Sequence, residues 1–89
     1  MIEITSASYI DQFRVAITFS DGVTGIYDAV SLLQHSGSLL LPLRDPMVFR
    51  KFFLDSGALC WPHGLELSPT RIRGEMQAAG ALANGQRVA

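Results

Sequence analysis

One cysteine in 89 residues, Cys60, leaves no partner for an intramolecular disulfide, so packing and hydrogen bonds alone must hold the fold. Charge is scarce as well: seven basic and eight acidic residues give a net charge of −1 and are spread along the chain. A surface that tracks a phosphate backbone needs a clustered excess of Lys and Arg, so generic nucleic-acid binding is disfavoured. Long apolar runs are also missing. The longest, Leu39-Leu-Leu-Pro-Leu43, falls far short of the ~20 residues that span a bilayer. The opening Met1-Ile-Glu-Ile has neither the basic start nor the apolar stretch of a signal peptide. The expectation is a cytoplasmic protein with no membrane partner, and one domain, since a chain of this size supports a single modest core.

What is present is β-hairpin patterning. In Phe13-Arg-Val-Ala-Ile-Thr-Phe-Ser-Asp-Gly-Val-Thr-Gly-Ile-Tyr-Asp28 apolar residues recur with period two, meet an Asp-Gly pair, and resume. A two-residue type I′ loop at Asp21-Gly22 predicts Ser20 opposite Val23, Phe19 opposite Thr24, Ile17 opposite Ile26 and Val15 opposite Asp28. Because side chains alternate, Phe13, Val15, Ile17, Phe19 and Ile26 would then form the core face, leaving Arg14, Ala16, Thr18, Val23 and Tyr27 on the other. Ile2, Ile4 and Ala7 suggest a short first strand, joined to the hairpin by a polar connection over residues 8–12.

Downstream, Asp28 reads as the N-cap of a brief helical turn through Ala29-Val-Ser-Leu-Leu33, and residues 34–38 as loop. Asp45-Pro46 repeats the device, with Asp45 capping and Pro46 at the first helical position. Val48, Phe49, Phe52 and Phe53 then share one face of a helix of two turns or so. Ala58-Leu-Cys-Trp61 and Gly64-Leu-Glu-Leu67 form a second hairpin about Pro62-His63-Gly64, preceded by a turn at Asp55-Ser56-Gly57. Ser68-Pro69 launches a last helix as far as Met76. The expected fold class is α+β: a small antiparallel sheet built from two hairpins, with two or three short helices packed on one face. Residues 1–75 make the compact domain, and residues 76–89, rich in Ala and Gly, a weakly ordered tail.

Chemistry-bearing residues are few. Cys60 and His63 are the types that make a nucleophile and its base, but no elbow or glycine loop orients them, and a buried cysteine filling the core is the simpler reading. His35, Asp55, Cys60, His63 and Glu66 are too scattered for a metal site. Asp21-Gly22 and Gly25 lack the Lys-Ser or Lys-Thr of a phosphate loop. No catalytic residue, metal or cofactor is therefore assigned. Trp61, beside Pro62 and His63 at a hairpin shoulder, could anchor a partner, or could be a half-buried ring covering the sheet edge. Arg44 next to Asp45 could form a binding rim or simply solvate a cap. Arg71 and Arg73 diverge on a helix, so solubility is their plainest role.

Three segments in this order, Phe19-Ser-Asp-Gly-Val-Thr-Gly-Ile-Tyr-Asp28, Pro42-Leu-Arg-Asp-Pro46 with Phe49, and Cys60-Trp-Pro-His-Gly64 through Leu67-Ser-Pro69, resemble a small bacterial family, domain-of-unknown-function family 2442. Members commonly show Trp-Pro-Asn-Gly where this chain has His63. The resemblance implies a compact α+β domain and brings no catalytic set. It also implies that members occur alone, with an appended helix-turn-helix, or encoded beside a second small protein in toxin–antitoxin-like pairs. This chain has no room for the appended unit, so a partner would be another small protein or a second copy.

The functional expectation is a non-enzymatic protein-interaction module using an exposed sheet edge and the shoulder of Trp61, Pro62 and His63, with Arg44 nearby. The alternatives are a small enzyme using Cys60 and His63, or a nucleic-acid accessory domain.

Overall fold

A computed structural model describes residues 1–83 of the chain. Strands β1 (Ile4–Tyr9), β2 (Arg14–Phe19) and β3 (Thr24–Asp28) form an antiparallel meander. Leu82–Ala83, β7, lies on the outer side of β3, giving the order β1-β2-β3-β7. Strands β4 (Phe53–Asp55), β5 (Ala58–Cys60) and β6 (Glu66–Leu67) make a second antiparallel sheet. Three helices, α1 (Val30–Leu33), α2 (Pro46–Phe49) and α3 (Pro69–Ala78), and a 3₁₀ turn at Leu41–Arg44 complete the described residues. The chain is α+β, but its two hairpins occupy separate sheets instead of one.

The first hairpin differs from expectation by one residue. Phe19 N–H donates to Val23 O and Gly22 N–H donates to Phe19 O, both at 2.9 Å, which closes a three-residue loop of Ser20, Asp21 and Gly22. Gly22 takes the left-handed conformation, φ 88°. This is a type I turn followed by an αL glycine, whose twist suits a hairpin as well as the type I′ loop does. Thr18 therefore faces Thr24, Ile17 faces Gly25, Ala16 faces Ile26 and Val15 faces Tyr27. A shift of one exchanges the two faces of β3. Val23 and Tyr27 are buried, while Ile26 is 42% exposed.

The second hairpin is built in the same way. Trp61 N–H donates to Leu65 O at 2.9 Å, Gly64 N–H donates to Trp61 O at 3.0 Å, and Gly64 has φ 109°. In both turns an aromatic side chain precedes the loop and is buried, Phe19 in one and Trp61 in the other.

The α2 helix is shorter than its apolar spacing predicts. Asp45 Oδ1 accepts from Met47 N–H at 2.9 Å with Pro46 at the first position, as expected, yet the helix stops at Phe49. Ser56 and Gly57, at φ 53° and 80°, turn the chain so that Asp55 pairs with Ala58, Leu54 with Leu59 and Phe53 with Cys60. A single helical turn has little stability of its own, so the ladder takes Phe53 out of the helix. Ser68 caps α3 by accepting from Arg71 N–H at 3.1 Å. Asp28 behaves differently: its Oδ1 accepts from Val30 N–H at 3.0 Å, but Ala29 is the residue flanking α1.

The β1–β2 connection begins only after Tyr9. Ile10 N–H donates to Arg14 O and Arg14 N–H to Asp11 O, with Gln12 and Phe13 both at positive φ, 48° and 64°. The last expected segment also contains structure, since α3 continues to Ala78 and Leu82 and Ala83 pair with Gly25 and Thr24. Residues 84–89 of the expected tail lie outside the described residues.

One core joins the layers. Val15, Ile17 and Phe19 from β2 pack with Leu43, Phe49, Leu59, Trp61, Leu67, Ile72 and Met76, each fully buried. Burial of each such side chain contributes about 1.5–3 kcal/mol against leaving it in water.

Candidate functional site

Phe49, at the end of α2, is the hub of an aromatic cluster. Its ring meets Tyr9 at 5.9 Å, Phe13 at 5.3 Å, Phe52 at 6.1 Å and Trp61 at 5.8 Å between centroids. Trp61 Nε1–H donates to Phe49 O at 2.8 Å, and only 2% of the residue is exposed. The expected shoulder tryptophan is thus a core residue, drawn inward because its indole satisfies a helix-end carbonyl while its ring fills the space between α2 and β5. Pro62 and His63 stay exposed at the turn. His63 Nε2 lies 2.8 Å from Leu39 O. A carbonyl only accepts, so that nitrogen carries the proton and the imidazole ties the turn to the chain ahead of the 3₁₀ segment.

Arg44 closes that 3₁₀ segment. Its Nε donates to Leu33 O at 3.1 Å, satisfying a carbonyl of the last turn of α1. Among the described residues no carboxylate lies within ion-pair distance of its guanidinium. Near these two tethers in sequence, three large apolar side chains are exposed, Leu39 at 45%, Leu41 at 47% and Met47 at 67%. The run from Leu39 to Leu43 was their signal, but only the 3₁₀ geometry separates buried Leu43 from exposed Leu41.

Cys60 and His63 do not form a catalytic pair. The Cys60 thiol donates to Ala58 O at 3.7 Å, and burial, with Glu66 and Asp55 adding to it, raises its pKa above the ordinary thiol value. The imidazole is engaged with Leu39. The hydrogen bond that would make a thiolate nucleophile and its base is missing between these two residues. No group of three or more His, Cys, Asp or Glu side chains is placed to hold a metal ion among the described residues.

A concavity of about 380 Å³ lies between β3, α1 and α3. The Tyr27 hydroxyl donates to Glu75 Oε1 at 2.8 Å, and Arg71 Nε donates to Glu75 Oε2 at 2.9 Å. Burial and the Glu75 carboxylate push the Tyr27 phenol well above its usual range. Arg71 and Arg73 have different partners, since Arg73 binds Asp21. Both arginines therefore have structural partners beyond the solubility role expected of them.

With this geometry in place, comparison with protein families is decisive for kinship. The family model described as "Protein of unknown function (DUF2442)" matches residues 4–76. The chain belongs to the DUF2442 family. That match spans all three segments on which the sequence resemblance rested. No curated protein and no solved structure matches the chain. In this DUF2442 domain no helix among the described residues is long and apolar enough to cross a membrane.

Proposed function

We propose that this DUF2442 domain is a non-enzymatic interaction module that holds a second polypeptide against the surface carrying Leu39, Leu41 and Met47. The observation that supports the reading is the exposure of these three large apolar side chains, close together in sequence: Leu39 just ahead of the 3₁₀ turn, Leu41 on it and Met47 on α2. Exposed Leu and Met on short elements bury readily on a partner and adapt to its shape. The Pro62-His63 turn, tethered through Leu39, and Arg44 form the polar rim. Trp61, buried against Phe49 and Phe52, does not touch the partner in this reading. In the same reading the partner is a second small protein, as in toxin–antitoxin-like pairs, and the complex works in the cytoplasm.

The test is co-purification from native extract with the tagged parent chain and with Leu41→Asp and Met47→Asp variants, each checked by circular dichroism. The parent is expected to recover a stoichiometric small protein that the variants lose while remaining folded. Equal recovery by parent and variants, or no stoichiometric partner for the parent, overturns the proposal.

A further inference from the structure

Beside the surface just described, a shallow slot of about 270 Å³ opens between α1 and the 3₁₀ turn, lined by Phe13, Val30, Leu33, Gln34 and Arg44. We infer that this slot takes one large apolar side chain of a partner polypeptide while Arg44 pairs with an acidic side chain next to it in the partner. The inference rests on the interaction-module reading and assigns the partner's chemistry. At about 270 Å³, close to the lower end of the ~300–1,000 Å³ range of ligand pockets, the slot has room for one large side chain.

Phe13, Val30 and Leu33 supply its apolar lining, and Phe13 is firmly held. Phe13 stands at φ 64°, a conformation that bulky residues rarely adopt, and is kept there by contacts on both sides. Its carbonyl accepts from Ala29 N–H at 2.9 Å, and its ring packs edge-on against Phe49. Bulky residues in this region of backbone space persist where the surroundings over-determine them, and they cluster at binding sites. Val30, which also lines the slot, is 44% exposed.

Arg44 sets the charge that the partner must supply. Its Nε is spent on Leu33 O, which fixes the direction of the guanidinium. The two terminal nitrogens have no carboxylate partner among the described residues. A planar fork beside an apolar slot recognises a carboxylate adjacent to an apolar side chain. A partner segment carrying Asp or Glu within two residues of Leu, Ile, Phe or Met fits both features.

The experiment is selection of a random-peptide phage library on the immobilised domain, run in parallel on Arg44→Glu, Val30→Trp and Leu41→Asp variants, each confirmed folded by circular dichroism. The parent is expected to enrich peptides that join an acid to a large apolar residue. Those peptides should bind Arg44→Glu and Val30→Trp about tenfold or more weakly. Arg44→Glu should instead enrich Lys or Arg beside the same apolar residue, a reversal that a purely structural role of Arg44 would not produce. Enrichment with no acid–apolar pairing, or of the same peptides on Arg44→Glu, overturns the slot. If binding is indifferent to Arg44 and Val30 but lost in Leu41→Asp, the slot is overturned while the interaction module stands. No enrichment above background on the parent overturns the slot as well.

Discussion

Arg73, on the third helix, forks onto Asp21 in the first hairpin turn, with Nη1 donating to Oδ1 at 3.2 Å and Nη2 to Oδ2 at 3.0 Å. The same guanidinium lies 4.8 Å from the centre of the Phe19 ring. One side chain thus holds together the turn, a core aromatic and a helix that are about fifty positions apart in sequence.

This contact should make stability depend on acid pH. The Arg73 hydrogen bond is the main cause that lowers the Asp21 pKa below the ordinary carboxylate value. A depressed carboxylate contributes stability above its unfolded value, near ~3.9, and that contribution is lost as pH falls through the folded value. Arg73→Gln should lower the urea midpoint at neutral pH, and the gap from the parent should narrow below about pH 4. Arg73→Lys should rescue only in part, because an ammonium cannot form the fork. Paired urea titrations at neutral and acid pH check this, and an unchanging gap would leave the Phe19 contact as the whole effect.

Trp61 should behave as a core residue. Trp61→Ala removes a ring that contacts Phe49 and Phe52 and should cost about 3–5 kcal/mol, enough to unfold a small domain. Trp61→Phe retains much of the ring but strips the Phe49 carbonyl of its donor, for about 1–3 kcal/mol. Denaturant unfolding distinguishes these from a surface anchor, whose truncation would leave the midpoint unchanged.

The two hairpin turns should respond alike. A Cβ at Gly22 or Gly64 would meet nothing within 4 Å, so substitution is penalised by backbone conformation alone. Gly22→Val and Gly64→Val should each lower stability by about 1–3 kcal/mol. A synthetic chain with D-alanine at position 22 should recover the loss. If the L-valine variants unfold at the parent's midpoint, the αL assignment of these turns fails.

Cys60 should react slowly in the native state. Its thiol is buried and its pKa raised, so little thiolate is available at neutral pH. Thiol labelling should follow the opening of the fold and accelerate sharply in urea. Fast stoichiometric labelling without denaturant would contradict this placement.

Local chemistry was legible in the chain itself. Asp45-Pro46 and Ser68-Pro69 start helices because a short acceptor and a donor-free ring suit those positions wherever they occur. Alternation marked β2, and the two Xaa-Gly turns marked both hairpins, together with the family to which their order belongs. Long-range contacts decided the rest. Asp-Gly suits two loop lengths that differ by one residue. Only packing chooses between them, by burying Val23 and Tyr27 and leaving Ile26 outside. Phe53 left a helical pattern for a ladder with Cys60, a preference that depends on a partner strand and on no property of Phe53 alone. The place of Trp61 was decided in the same way: its indole reaches the Phe49 carbonyl and its ring is buried, whereas Leu39, Leu41 and Met47 remain exposed. Composition sets how much apolar surface a chain of 89 residues carries, and tertiary packing determines which part of it remains in water.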